Sequence, residues 1–135
     1  MRRILIAAAA TVAASTAGAA SAATGCPVGL RPATTAEVFF GQDIVGGGAV
    51  SDADWRTFLA AEVSPRFPGG LTVADVYGQW RGPGGSFVKE PSKALFIVLG
   101  RGDDQRRLEL VREAYKRQFR QESVLLVEER ACVSF

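Results

Sequence analysis

The chain has no histidine at all. That removes Ser-His-Asp and Cys-His nucleophile arrangements and every histidine-ligated metal site in one stroke. It has only two cysteines, Cys26 and Cys132, and a thiol nucleophile is not available if they pair. No glycine-rich stretch is followed by Lys and Ser/Thr at phosphate-loop spacing. After the first residues, no apolar run approaches the ~20 residues that a membrane-spanning helix needs. The expectation is therefore of no metal, no cofactor and no catalytic residue that the sequence can name.

A surplus of charge is also missing once the N-terminus is read correctly. Arg2 and Arg3 precede an apolar stretch from Ile4 to Val12, and Ala20-Ser21-Ala22 follows as a small-x-small cleavage site. This is the pattern of a secretory signal peptide over residues 1–22, leaving a single exported domain over 23–135. Loss of Arg2 and Arg3 takes the sixteen basic residues to fourteen, equal to the fourteen acids. A neutral domain offers no electrostatic footprint for nucleic acid or an anionic membrane.

In an oxidising compartment the two cysteines invite a disulfide. The lead-in from Cys26 to about Ala36 is long enough to cross a sheet at ~3.3 Å per residue, so a bridge to Cys132 with Cα atoms within ~7 Å is reachable. The rival is a lipid anchor on Cys26, since Ala23-Thr24-Gly25-Cys26 has the small residues of a lipobox but not its usual Leu.

The periodicities then mark out the elements. A first strand is expected around Glu37 to Phe40. Gly46-Gly47-Gly48 reads as a flexible loop, or as backbone that lets something approach closely. Ser51 caps a helix over about Asp52 to Val63, with Trp55, Phe58, Leu59, Glu62 and Val63 at helical spacing. Pro65 stops it. Leu71 to Arg81, the turn Gly82 to Gly85, and Ser86 to Leu99 form a hairpin, interrupted near Pro91. A second helix to about Arg120 buries Leu108, Val111, Tyr115 and Phe119, and a last strand covers Ser123 to Val127. Strand, helix, strand, strand, helix, strand is an α+β order: the ferredoxin-like split βαβ, an antiparallel sheet with both helices on one face.

Several blocks resemble one exported bacterial family: FFG at Phe39 to Gly41, VSDADWRTFL from Val50, SPRFPGGLTV from Ser64, GQWR from Gly78, KEPSKAL from Lys89, YKRQFRQESVL from Tyr115 and the terminal CVSF. The chain is similar, over essentially its whole mature length, to the family called domain of unknown function 3574. The resemblance implies a single-domain exported protein and brings no catalytic residues with it.

Candidate site residues come from the hairpin. If Arg81 pairs with Ser86, then Tyr77 faces Glu90 and Asp75 faces Ser92. Alternation would gather Asp75, Tyr77, Gln79, Glu90 and Ser92 on one face with Val73, Phe96 and Val98. Val76, Trp80, Phe87, Leu95, Ile97 and Leu99 would turn to the helices. Such a mixed face reads as an interface, as cross-strand hydrogen bonding, or as a ligand site with Glu90 within reach of general-base work. Arg66, between two prolines, either satisfies local carbonyls and acids or grips an anionic group. The leading expectation is a non-catalytic exported module that binds a small molecule or protein, or forms a homodimer, through its open sheet face. The alternative is a small cofactor-free enzyme of the dimeric α/β-barrel kind, an analogy at fold level only.

Overall fold

The computed structural model describes residues 25–82, 84–100 and 102–135; the expected signal segment 1–22 lies outside them. The strands are β1 (Arg31–Gly41), β2 (Thr72–Arg81), β3 (Phe87–Leu99) and β4 (Leu125–Val133). Helix α1 (Asp52–Phe58) follows β1, and α2 (Asp104–Phe119) follows β3. The sheet order is β2-β3-β1-β4 with every neighbour antiparallel. This is the ferredoxin-like split βαβ arrangement expected from the element order. Among the described residues, no helix is long and apolar enough to cross a membrane.

Strands β1 and β4 run further than the sequence suggests. β1 starts at Arg31 rather than near Glu37, because β4 extends to Val133 and pairs with it down to Arg31↔Val133. Pro32 is the second residue of the strand, ahead of the first β1–β3 pair at Thr34↔Leu99, so only β4 lies beside it. Nor does Pro91 interrupt β3. Its carbonyl accepts from the Gln42 N–H at 2.9 Å, so its nitrogen faces the same side, just past the last β1–β3 pair at Gly41↔Ser92. No ladder bond is lost there.

Ser51 caps α1 as its chemistry predicts. Its hydroxyl accepts from the Asp54 N–H at 3.1 Å, and the Asp54 carboxylate accepts from the Ser51 N–H at 3.3 Å. The helix then widens into a π turn over Leu59–Val63, closed by the Ser64 N–H donating to the Leu59 carbonyl at 2.9 Å. The wider turn brings Val63, five residues after Phe58, into the core, where a regular helix would have aimed Glu62. The expected stripe is corrected in that one residue. Phe40, Trp55, Phe58, Tyr115 and Phe119 interlock at the centre with ring centroids 4.7–6.1 Å apart, mostly tilted or edge-on. Leu108 and Val111 of α2 and Leu95, Ile97 and Leu99 of β3 complete this layer.

Cys26 and Cys132 are joined by a disulfide with Cα atoms 5.5 Å apart. No long lead-in is needed to reach across, because β4 lies directly beside β1 and Pro32 pairs with Cys132. This is the bridge expected between the two ends of the domain.

Candidate functional site

The hairpin register differs by one residue from the expected one. Arg81 pairs with Phe87, Gly78 with Glu90, Val76 with Ser92 and Asp75 with Lys93. The turn is tighter in its hydrogen bonds but longer in sequence: Gly82 N–H donates to the Ser86 carbonyl at 2.8 Å. A one-residue slip turns every side chain of one strand over relative to its partner. Glu90 and Ser92 therefore do share the open face with Phe96 and Val98, but their β2 neighbours are Val76, Gly78 and Trp80. Asp75, Tyr77 and Gln79 lie on the helix side, so the expected single-face group is corrected into two.

Each displaced residue has a local partner. Lys93 is buried on the helix side and its ammonium bridges Asp75 of β2 and Asp52 in the first turn of α1, the latter at 2.7 Å. The hydrogen bonds that the ammonium donates to Asp52 and Asp75 raise the Lys93 pKa, and the contact with Lys93 lowers that of Asp52. Tyr77 lies under the Lys89 ammonium, 4.0 Å from the ring centroid. Gln79 pairs with Lys89 on β3. Arg66 forms an ion pair with Glu62 at 3.0 Å and donates to the Glu62 carbonyl, while its own carbonyl accepts from Arg107 at 3.2 Å. These contacts fasten the loop after α1.

Trp80, expected in the core, instead stands on the open face, 45% exposed. It forms one wall of a hollow of about 550 Å³ at the end of the sheet. Phe39 and Leu125 supply further apolar wall, Gly41, Gly78, Glu90 and Ser92 the floor, and segments 43–45 and 121–123 the rim. Two strand glycines make the floor low. A Cβ on Gly41 would lie 2.8 Å from the Glu90 carboxyl carbon, and one on Gly78 would touch the Trp80 indole at 3.9 Å. Glu90 thus rests where the Gly41 side chain would be. On the opposite side of the sheet, the Tyr115 hydroxyl donates to the Gly41 carbonyl at 2.9 Å.

The rim is built rather than loose. Gly46, Gly47 and Gly48 all take positive φ, which lets the chain fold back so that Ile44 N–H reaches the Gly48 carbonyl at 3.0 Å and Val50 N–H reaches the Gln42 carbonyl at 2.8 Å. The triple glycine is therefore a tight turn and not a linker. On the other side, Arg120 ends α2 in the left-handed conformation, and the Gln121 amide donates to the Asp43 carbonyl at 2.6 Å. Glu90 accepts from the Asp43 N–H at 3.0 Å. Burial raises the Glu90 pKa; the Asp43 N–H opposes that rise and the Asp43 charge adds to it. Burial, and then the Glu90 charge, push the Tyr115 phenol upward as well.

Sequence reasoning found Glu90 and Ser92 and missed Trp80, Phe39, Gly41 and Leu125. The available signal was glycine at both Gly41 and Gly78 inside strand patterns, which marks a close approach to backbone.

Two solved structures share the fold. One is a phage SAM lyase in complex with S-methyl-5'-thioadenosine, with a TM-score of 0.56 at 16% identity, covering 76% of this chain and 90% of that one. The other is a phage SAM lyase in its apo state, with a TM-score of 0.57 at 16% identity, covering 77% and 90%. No curated protein matches the chain. Residues 35–135, which carry β2, β3, β4, both helices, the hollow and the C-terminal part of β1, match the family described as protein of unknown function (DUF3574), and the chain belongs to that family.

Proposed function

We propose that this protein binds a small molecule in the hollow on its open sheet face. Glu90 is the polar anchor, with Trp80, Phe39 and Leu125 as the apolar contacts. The observation that carries this reading is the Glu90 carboxylate seated in the space left by Gly41, partly desolvated and facing two aromatic walls. A concave apolar site with a few convergent polar groups is the usual form of a ligand pocket. Asp75 and Arg66, by contrast, are matched by internal partners. The phage SAM lyase with bound S-methyl-5'-thioadenosine supports the idea that a scaffold of this kind can house a small-molecule site. The Cys26–Cys132 bond accords with a place of action in an oxidising, extracytoplasmic compartment.

S-methyl-5'-thioadenosine is the first probe, followed through tryptophan fluorescence. Trp55 is buried in the core, so a change that disappears in Trp80→Phe reports the hollow. Saturable quenching that is weakened in Glu90→Gln supports the reading. Native mass spectrometry of the purified protein, searching for a co-purifying small molecule, is the broader check.

One further observation favours self-association as a second role of the same face. Beyond the hollow, Phe96, Val98 and Val127 lie partly exposed on the side that carries no helix. Sedimentation at micromolar concentration decides it, and a strict monomer removes the argument.

A further inference from the structure

We propose that the ligand of this hollow is a small organic cation, an inference that rests on the binding reading above. The walls and the charge of the site agree on this chemistry. Glu90 accepts one protein hydrogen bond, from the Asp43 N–H, and the rest of its carboxylate faces the hollow without a donor among the described residues. The described lining includes Asp43 and Glu122 as further carboxylates, and no Lys or Arg. Asp52, Asp75, Glu62, Asp104, Glu109 and Glu113 each hold a Lys or Arg within salt-bridge distance, whereas the three lining carboxylates hold none among the described residues.

The walls decide which kind of cation fits. Trp80 lies against Gly78 with its indole bordering the hollow, and Phe39 borders it from β1. Aromatic faces attract a diffuse organic cation and offer nothing to the oxygen-seeking shell of a metal ion. The carboxylates are also not gathered as a metal-holding cluster among the described residues. An anionic ligand would meet only like charge. A quaternary ammonium, sulfonium or protonated amine, with its charge beside Glu90 and its alkyl groups against Trp80 and Phe39, uses every feature of the site. It also replaces the hydration that burial has taken from the Glu90 carboxylate.

Choline and its neutral carbon isostere, 3,3-dimethylbutan-1-ol, differ in charge and little in shape. Both are titrated against the intact disulfide-bonded protein, with Trp80 fluorescence as the readout and Trp80→Phe as the blank. Choline should saturate and the neutral isostere should bind roughly tenfold more weakly. Glu90→Gln should abolish that difference with the circular dichroism spectrum unchanged. Gly41→Ala, whose added carbon displaces the same carboxylate without removing it, should do so as well. Equal affinity for the two probes, or discrimination that survives Glu90→Gln, overturns the cation inference. Binding of S-methyl-5'-thioadenosine without any response to choline overturns it too, while leaving the binding reading intact. Silence toward all three compounds overturns both.

Discussion

Lys93 and Glu90 lie three residues apart on opposite faces of β3, and each answers its burial differently. Lys93 has its side chain only 8% exposed, but its two partners reach out to water at 70% and 83%. Removing either Asp52 or Asp75 leaves the ammonium one carboxylate, and solvent screening keeps the loss small. Removing both strands a buried charge, so Asp52→Asn with Asp75→Asn should cost clearly more than the sum of the single changes. A double-mutant cycle in urea measures this; additive losses would show that Lys93 does not depend on the pair. Glu90 has no cationic partner among the described residues. Its raised pKa means the folded protein holds that proton more tightly than the unfolded chain. Its contribution to stability is therefore greatest at low pH and declines as pH rises through the window above the ordinary value of 4.5. Glu90→Gln should lack this decline and be at least as stable as the parent at neutral pH. A pH series of melting curves for the two proteins is the check, and a Gln variant that is less stable at pH 7 would contradict it.

Among the elements, α1 shows how local and distant forces divide the work. Its first turn is held by the Ser51–Asp54 capping box, and Ser51→Ala should cost about 1 kcal/mol in chemical denaturation. Its second half is decided by the core: Val63 is apolar and Glu62 is not, so the backbone widens to bury the former. The cap was legible in Ser51 and the two acids behind it, whereas the π turn was not, because no residue in Leu59–Val63 signals it locally. The same division runs through the sheet. The element order, the stripe Leu108, Val111, Tyr115, Phe119 and the inward set Leu95, Ile97, Leu99 were readable from spacing, because burial demands them. The hairpin register was not. Gly82 to Ser86 can close with either four or five residues in the turn, and β2 is only half-buried, so little in its own pattern opposes a slip. That single ambiguity carried Trp80 into the expected core and Asp75, Tyr77 and Gln79 onto the wrong face. Glu90 and Ser92 escaped it, because Leu95, Ile97 and Leu99 pin the faces of β3.

At the scale of the whole molecule, the disulfide encloses nearly everything described, with Cys26 and Cys132 separated by 106 positions. In the chain-entropy account a loop of about that length is worth roughly 4–5 kcal/mol. Reduction should therefore lower the melting temperature by well over ~10 °C, read by calorimetry with and without reductant; an unchanged transition would assign the stability to the core alone. The bridge also has a mechanical meaning. A pull applied between Cys26 and the C-terminal Phe135 passes through the two sulfurs and only the last residues, Val133 to Phe135. Apart from Val133, the last residue of β4, the strands, the helices and the hollow hang beside that line of force as a closed ring. A protein tethered by either end would keep its binding face at rest under tension, and would feel the load only when the sulfur bond is reduced.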